Sequence, residues 1–587
     1  MKKILALCDG APPPRELTKD GWNGETIHLA HRGNSPNVNL HIDSPSSKLL
    51  ADVPQRSADL VRIASYVYAA DQAVSRGGKA DVYGDSWRRE LTICLPVADH
   101  AFWAQQPVLD QLQATLNFAT DDTWRFHLLP AAPEIDQPTF NFSATETLGN
   151  PDAVYLFSGG LDSLCAVVEA ASQGARPVLI GHSPAFHIAS RQKELLEPLR
   201  TIARPWRFPY VSFATHRRGR EDAKDYSQRT RSFLYAAFGA VVAHQIGLRE
   251  VNIADNGVIS LNLSINDQLL GARASRSTHP QFLRMFTDLC ALVFETELTV
   301  HNPLWSRTRA EVIEVLKAAD VVHLLEATRS CSHHRNLPKL QPHCGTCSQC
   351  IDRRFATLAA GLEEYDPGER YRLEIFRQEL PEGDPRTMAL SYVRFGQQVA
   401  ELSGEAMFRE FPQLAECIEP AEAHANQRET AEALTDMIRR HGETVVRVLK
   451  GEIERSSVAL ARNQLPEGCL LRLVHLPKAD RATDAGSAVT ADPAVTRDGE
   501  PEFEHSPENR WVKLRGREWT LPPMANMVIS LLTEARRVGR PDMHWKQIAS
   551  KLPGEPASIH DVSKSVPDWD ELVVSRRKGV FRLNLPS

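Results

Sequence analysis

The middle of the chain alternates short apolar runs with longer segments in which apolar residues recur at helical spacing. The apolar runs lie at 154–157, 178–180, 211–213 and 251–254. Strands separated by helices predict a doubly wound parallel sheet, whose ligands bind at the carboxyl ends of the strands. We therefore predict an α/β domain at 149–368 with a binding site at one edge of its sheet.

The first 148 residues show mixed periodicity. Residues 91–95 alternate apolar and polar side chains as a half-buried strand does, whereas residues 60–68 carry apolar side chains at helical spacing. Residues 1–9 contain a short apolar stretch that is typical of a buried first strand. Together these patterns predict a small α+β domain at 1–148.

Two segments follow the central domain. Residues 369–476 carry apolar side chains at helical spacing and predict a helical extension, in which glycines 442 and 451 interrupt one apolar face. Residues 477–509 are rich in Ala, Asp, Thr, Pro and Glu with little periodicity, and they predict a flexible linker.

The last segment, 510–587, has the pattern of a compact unit. It predicts one strand, three short helices and a terminal hairpin, at 511–514, 524–535, 545–552, 559–565 and 573–583. Three short helices closed by a hairpin resemble a winged helix. The basic hairpin tip at 575–579 fits either phosphate contacts or simple solvation, so both DNA and protein remain candidate partners.

Length and charge narrow the class of protein. A chain of 587 residues exceeds what one core can organise, and a net charge of −6 provides no general attraction to nucleic acid. No stretch approaches the roughly eighteen uncharged apolar residues that a membrane span needs. The apolar stretch within residues 1–9 is too short for the hydrophobic region of a signal peptide. These features predict a cytoplasmic protein.

Between the run at 154–157 and the helical pattern that follows, a loop with two adjacent glycines is typical of phosphate binding. It consists of Ser158, Gly159, Gly160, Leu161, Asp162 and Ser163. Glycines let backbone N–H groups approach phosphate oxygens, and the following helix start adds positive partial charge. Asp162 is acidic, so we expect it to hold the loop or a magnesium ion. An ordinary glycine turn is the alternative, and a Walker loop is excluded because no Gly-Lys-Ser/Thr follows.

Four of the ten cysteines are concentrated in one segment, as Cys331, Cys344, Cys347 and Cys350. Thiolates at this spacing can converge on one ion, and four sulfurs in a tetrahedron favour structural zinc. An iron–sulfur cluster is the competing occupant. The nearby histidines His333, His334 and His343 are expected to be bystanders.

The glycine loop resembles the PP-loop of the ATP pyrophosphatase superfamily, and this resemblance implies a HUP-like fold. Members of the superfamily split ATP between its α- and β-phosphates and adenylate a substrate. The loop followed by Cys…Cys-x2-Cys-x2-Cys is similar to the layout of the QueC family, the 7-cyano-7-deazaguanine synthases. Further segments match this family in order, at 231–235, 255–256, 277–282 and 302–313. The resemblance covers about 150–365.

This resemblance implies ATP, Mg²⁺ and Zn²⁺ as cofactors and a 7-carboxy-7-deazaguanine-type substrate, adenylated and then attacked by nitrogen. It implies catalytic roles for Ser158, Asp162, Ser163 and Arg309, and ATP contacts from the whole loop, Arg231 and Asn256. The chain departs from the family at Arg309, where the family has lysine. It departs again at 277–279, where Ser-Thr-His replaces Asp-Cys-Arg, which puts recognition of the base in doubt.

The added segments on both sides resemble the longer QueC-like proteins of bacterial antiphage operons of the Qat and CBASS types. This likeness implies that the activated carboxylate passes to an amine of a partner protein from the same operon. One alternative is 7-cyano-7-deazaguanine synthesis with ammonia for queuosine. Another is a nucleotide-binding scaffold that acts through its winged helix.

Overall fold

The computed structural model describes residues 2–19, 22–31, 36–42, 53–76, 88–131, 148–183, 186–202, 206–217, 229–263, 276–332, 337–338, 340–421, 426–475, 503–506, 511–514, 517–537, 543–549, 552, 558–559, 562, 566, 568–577 and 580–584. The chain forms two compact units, Met1–Val474 and His475–Ser587. Within the described ranges, no helix is both long and apolar enough to cross a membrane.

The first unit contains ten described strands: β1 (Lys2–Cys8), β2 (Glu25–Leu29), β3 (Val38–Ile42), β4 (Arg89–Val97), β5 (Thr123–Pro130), β6 (Ala153–Leu156), β7 (Pro177–His182), β8 (Tyr210–Arg217), β9 (Glu250–Asn252) and β10 (Thr299–His301).

The described α-helices of this unit are α1 (Arg15–Lys19), α2 (Gln55–Ala73), α3 (His100–Trp103), α4 (Gln106–Thr120), α5 (Leu161–Ser172), α6 (Phe186–Ile202), α7 (Arg231–Gln245), α8 (Gly257–Ser260), α9 (Pro280–Phe294), α10 (Arg309–Ala318), α11 (Ser348–Ala359), α12 (Asp384–Glu401), α13 (Gly404–Glu410), α14 (Ile418–Ala421), α15 (Gln427–Arg455), α16 (Ser457–Ala461) and α17 (Leu470–His475). Short 3-10 helices lie at Val322–Ala327, Gly368–Arg370 and Pro412–Cys417.

The N-terminal sheet is parallel throughout, which corrects the α+β prediction for this region. Its strand order is β2-β1-β4-β5, and every neighbouring pair runs in the same direction. The last five residues of β1 are buried, as expected for a strand of a parallel sheet covered on both faces. Strand direction depends on pairing between distant segments, and local periodicity carries no information about it.

The second sheet confirms the predicted parallel-sheet core. Its order is β10-β9-β6-β7-β8-β3, with the first five strands parallel and β3 antiparallel to β8. Strand β3 comes from the N-terminal region, and buried side chains of both regions form one core. The predicted boundary at residue 148 stays a prediction.

The described residues of 369–476 are mainly helical, as predicted, and the two glycines that interrupt the apolar face do not break the helix. Helix α15 runs unbroken through Gly442 and Gly451. Gly442 lies against α12: a Cβ built on it would approach the Gly396 oxygen to 2.5 Å. The glycine therefore allows close helix packing and does not break the helix.

The second unit contains two small antiparallel sheets. The first has the order β11 (Phe503–Ser506), β12 (Trp511–Leu514) and β13 (Arg517–Thr520), and the second joins β14 (Met543–His544), β16 (Val580–Leu583) and β15 (Val573–Arg577). Helices α18 (Pro523–Arg537), α19 (Trp545–Ala549) and α20 (Trp569–Leu572) complete the described elements.

The structure tests several predictions for this unit. Strand β11 lies inside the range predicted as a linker, so that range contains regular structure near its end. Most of the linker and of the helix predicted at 559–565 lies outside the described residues. The terminal hairpin is confirmed by the pairing of β15 with β16, and the winged-helix arrangement stays a prediction.

Candidate nucleotide-binding site

The loop at 158–163 lies where the strand order of the second sheet reverses. It leaves the carboxyl end of β6, whose neighbours are β7 on one side and β9 on the other. The chain moves outward from β6 in both directions, and the carboxyl ends of the strands at such a reversal are where ligands of open parallel sheets bind. Asn256 follows β9 and reaches the same edge.

The loop is closed by its own hydrogen bonds. Ser158 Oγ accepts from the Gly160 N–H at 3.2 Å and lies 3.1 Å from Ser163 Oγ, and Ser163 Oγ donates to the Gly160 carbonyl at 3.1 Å. Gly159 has φ +74°, a conformation that favours glycine. Leu161, which is buried, opens the twelve-residue helix α5 directly behind the loop. The backbone is therefore preset to present N–H groups and a helix start to an anion.

Asp162, the fifth residue of the loop, is buried and uses one carboxylate oxygen for all its described hydrogen bonds. Its Oδ2 accepts from the Asn256 N–H at 3.1 Å, from Asn256 Nδ2 at 3.0 Å and from Arg309 Nη2 at 3.1 Å. Oδ1 is buried and has no hydrogen-bond partner among the described residues. A buried oxygen without a donor fits an oxygen ligand of Mg²⁺.

Arg309 is the first residue of α10 and is also buried. Besides Asp162, it contacts Asp352 through Nε at 3.2 Å and the Gln349 side chain through Nη2 at 2.9 Å. Burial alone would lower the pKa of Arg309, but the carboxylates of Asp162 and Asp352 raise it above its usual value. The guanidinium therefore stays charged and holds Asp162 in place, while its predicted catalytic role stays a prediction.

Asp255 is a site residue that the sequence reasoning did not single out. Its Oδ2 accepts from Thr278 Oγ1 at 3.0 Å. Burial, together with the charge of Asp162, raises the pKa of Asp255 to about 6, and hydrogen bonding from Thr278 only partly opposes this. Its position next to Asn256 after a buried strand was the available signal. Thr278, one of the residues that depart from the family pattern, thus contacts the site.

Arg231 opens α7 and is exposed. Its positive charge acts on Asp255 and partly opposes the rise of that pKa. The structure thus brings the charge of Arg231 within electrostatic range of Asp255, and its predicted contact with ATP stays a prediction.

The four cysteines predicted as metal ligands converge. The sulfur atoms of Cys331, Cys344, Cys347 and Cys350 all lie within 4.8 Å of one another. The Cys344 and Cys350 sulfurs are 3.8 Å apart, which equals the edge of roughly 3.8 Å that Zn–S bonds of about 2.3 Å give a tetrahedron. Gly345 has φ +83° and packs so closely on the Leu373 backbone that a side chain would not fit. The cluster fits a tetrahedral metal ion.

The neighbouring histidine is separate from this cluster. His343 is buried and lies 3.8 Å from Asp366, and burial lowers its pKa to about 2. Among the described residues, the group that can hold a metal consists of the four cysteines alone. His333 and His334 lie outside the described residues.

The cysteine cluster and the loop are joined through one helix. Cys347 is the N-cap of α11, and Gln349 and Asp352 of α11 both contact Arg309. Arg309 in turn contacts Asp162 of the loop. A metal held by the cysteines would therefore fix the start of the helix that positions the carboxylate of the site.

Comparison with known proteins gives the same family likeness over part of the chain. Residues 276–361 match the family model of "Queuosine biosynthesis protein QueC". The 7-cyano-7-deazaguanine synthase of Methanococcus aeolicus is 24% identical over 237 residues, 37% of this chain and 98% of that protein. The chain is therefore QueC-like in this region, as the loop and the cysteines predicted.

A solved ketoreductase domain from the bacillaene assembly line aligns at 9% identity over 51% of this chain and 78% of that one, with a TM-score of 0.16. Similarity at this level carries no argument about the fold.

Proposed function

We propose that this protein is an ATP-dependent enzyme that adenylates a carboxylate of the 7-carboxy-7-deazaguanine type and transfers the acyl group to nitrogen. The observation that carries the proposal is the loop at 158–163, which lies at the reversal of the sheet and whose Asp162 is held by Asn256 and Arg309. Similarity to a 7-cyano-7-deazaguanine synthase supports the substrate class.

The reaction has two steps. A carboxylate oxygen of the substrate attacks the α-phosphorus of ATP, and the α–β bond breaks to release pyrophosphate. A nitrogen nucleophile then attacks the acyl carbon, AMP leaves, and the nitrogen loses a proton. The loop N–H groups with Ser158 and Ser163 would bind the phosphates and align the reacting atoms.

Mg²⁺ fits the buried, unpartnered Oδ1 of Asp162, with Asp255 as a second oxygen donor. When bound, such an ion neutralises phosphate charge. Arg309 would keep Asp162 ionised and oriented, because its guanidinium contacts that carboxylate directly. Zn²⁺ would be bound by the four cysteines, with a structural role.

We further propose that the nitrogen acceptor is an amine on a partner protein, in antiphage defence, and that the added segments bind that partner. This extension is supported by the length of chain outside the QueC-like region, at 1–148 and 369–587. Intact mass spectrometry of the operon neighbours, with and without this protein, tests it. An added mass equal to a deazaguanine acyl group is expected, and unchanged masses would contradict the extension.

A second candidate function is synthesis of 7-cyano-7-deazaguanine, with ammonia as the nitrogen source. The Methanococcus aeolicus relative is named as a 7-cyano-7-deazaguanine synthase. The amide formed first would then be activated again and dehydrated to a nitrile. Expression in a bacterial strain that lacks its own synthase separates the two functions. Restored queuosine would support the ammonia route, and no restoration is expected if the acceptor is a protein.

The core proposal is tested by pyrophosphate release from ATP, Mg²⁺ and 7-carboxy-7-deazaguanine, with and without the operon neighbours. We expect release from the wild type and a loss of at least about 100-fold in Asp162→Asn, since one removed electrostatic contact costs that much in other active sites. Absence of release by well-folded wild-type protein would overturn the proposal. Full cellular function of Asp162→Asn without ATP turnover would instead favour a scaffold.

A further inference from the structure

Two arginines lie beside the glycines of the loop, outside the set of residues described above. A Cβ built on Gly159 would be 3.6 Å from Cδ of Arg191, so the Arg191 stem lies against the loop. A Cβ built on Gly160 would be 3.8 Å from the backbone oxygen of Arg329. Arg191 belongs to α6, and Arg329 lies just before Cys331, so the two come from distant parts of the sequence.

Neither arginine is paired directly with an anion among the residues that the structure describes. Neither guanidinium has an ion pair or hydrogen bond there, although both residues are half-buried. The fully buried arginines of this unit behave differently, because Arg89, Arg309 and Arg353 each pair with an aspartate. A half-buried arginine without an anion is unfavourable, and binding an anion would relieve this.

The two positive charges also act on each other. Burial and, to a smaller extent, the charge of Arg329 lower the pKa of Arg191 to about 10, and the charge of Glu194 partly opposes this shift. Arg191 nevertheless remains a cation at neutral pH. Two mutually repelling cations beside a phosphate-binding loop provide a field suited to a multiply charged anion.

The position of Arg191 is fixed by its neighbour. Gln192 is buried and donates from Nε2 to the Phe157 carbonyl at 3.1 Å, one residue before the loop begins. Its Oε1 accepts from Tyr210 OH at 2.8 Å. Helix α6 is therefore tied to the start of the loop, and the Arg191 stem is held there with it.

We propose that Arg191 and Arg329 bind the β- and γ-phosphates of ATP and the pyrophosphate that they become. The inference rests on the proposed function, since it assigns the leaving-group end of the same site. With these two cations beside it, the pyrophosphate gains charge-assisted contacts as the α–β bond breaks and negative charge develops on the leaving oxygen.

The test uses the full-length protein and calorimetric titration with inorganic pyrophosphate, ATP and AMP. In Arg191→Gln and in Arg329→Gln we expect the Kd for pyrophosphate and for ATP to rise about tenfold or more, as loss of a charge-assisted contact does. The Kd for AMP should stay within about twofold, because AMP lacks the two outer phosphates. Arg191→Lys should lie between wild type and Arg191→Gln, since it keeps the charge without the planar fork.

Arg249→Gln is the matched control. Arg249 is exposed and directly precedes β9, so it lies at the amino ends of the parallel strands, whereas the loop lies at their carboxyl ends. This variant should therefore bind all three ligands as the wild type does.

The arginine assignment would be overturned if both site variants bound pyrophosphate and ATP with wild-type affinity. If the wild type also turned over ATP, the proposed function would still stand. An equal loss of AMP affinity would indicate a structural defect and would also overturn it. A wild type that binds neither ATP nor pyrophosphate would overturn both proposals.

Discussion

Asp162 shows how one residue can serve the architecture and the chemistry of a site together. One of its oxygens accepts three hydrogen bonds, from Asn256 and Arg309, and thereby ties the loop to two other segments. The other oxygen has no described partner. Since a buried acceptor without a donor is unfavourable, this free oxygen supports the proposal that Asp162 binds Mg²⁺.

The raised pKa of Asp255 predicts a pH-dependent need for Mg²⁺. Burial and the charge of Asp162 raise the pKa of Asp255 to about 6, so the carboxyl is mostly protonated below pH 6 and mostly ionised above it. A cation binds the ionised carboxylate. We therefore expect the Mg²⁺ concentration for half-maximal pyrophosphate release to fall as pH rises from 5 to 7.

The control for this prediction is Asp255→Asn, which cannot ionise. It should need more Mg²⁺ at pH 7 and show a weaker dependence on pH across the same range. Identical pH profiles of the Mg²⁺ requirement in wild type and variant would show that Asp255 does not contribute to the ion.

Several of these site residues could be predicted from the sequence and others could not. The loop was visible because its six residues are contiguous, and Asn256 was visible from a matching segment. Asp255 was passed over, although it lies next to Asn256, because only its burial and its proximity to Asp162 raise its pKa. Arg191 and Arg329 carry no local signal, since what distinguishes them is the absence of a described ion pair or hydrogen bond in the folded chain.

Among the helices, the pair α12 and α15 shows how two glycines in one helix can have opposite roles. Gly442 lies against the backbone of Gly396 and Ala400, whereas a Cβ on Gly451 would have no neighbour within 4 Å. Both look alike in the sequence, as glycines inside a helical pattern. Packing alone distinguishes them.

Alanine substitution at these two positions should therefore change stability in opposite directions. Gly442→Ala should lower the free energy of unfolding by about 1–3 kcal/mol, because the new Cβ forces the helices apart. Gly451→Ala should raise it by about 0.5–1 kcal/mol through helix propensity. Urea denaturation followed by circular dichroism measures both, and equal effects at the two sites would contradict the packing argument.

The cysteine cluster connects a turn to a helix that supports the site. Removing one ligand should release the metal and loosen the start of α11. For Cys344→Ala we expect bound zinc to fall from about one ion per chain to well below one, together with a lower melting temperature and weaker pyrophosphate release. Elemental analysis and thermal denaturation provide the measurements.

Cys290→Ala is the matched control, because Cys290 is a buried cysteine of α9 outside the cluster, whose pKa burial alone raises. It should keep its zinc. Full zinc content in Cys344→Ala would contradict the four-cysteine site. Iron in the purified wild type would show that the cysteines hold an iron–sulfur cluster and not zinc.

Across the first unit, a buried network of charges joins the N-terminal region to the central sheet. Asp71 of α2 pairs with Arg76 at 3.0 Å and with Arg89. Its other oxygen accepts from Thr230 Oγ1 at 2.9 Å and from the Thr230 N–H at 3.2 Å, at the N-cap of α7. The carboxylate of Asp71 thus holds the helix start that carries Arg231.

Neutralising Asp71 should weaken this connection strongly. Burial alone would raise the pKa of Asp71, but Arg89 and Arg76 lower it far below its usual value, so the group is an anion in the folded protein. Asp71→Asn removes one negative charge from beside the buried Arg76 and Arg89. We therefore expect the free energy of unfolding to fall by about 3–5 kcal/mol. Chemical denaturation measures it.

The comparison variant is Asp288→Asn, since Asp288 forms an exposed pair with Arg284 at 3.2 Å. Its loss should change stability by less than about 1 kcal/mol. A similarly small effect for Asp71→Asn would show that the buried network does not hold the two regions together.

The sequence by itself determined the features that neighbouring residues encode: the alternation of strands and helices, the glycine loop, the set of four cysteines and the resemblance that joins them. These depend on local periodicity and on contiguous motifs. The tertiary structure alone decided the parallel order of the first sheet, the joining of β3 to the second, the separate roles of Gly442 and Gly451, and the surroundings of Asp255 and Arg191. Those features depend on contacts between residues far apart in the chain, which change burial and charge without leaving a local pattern.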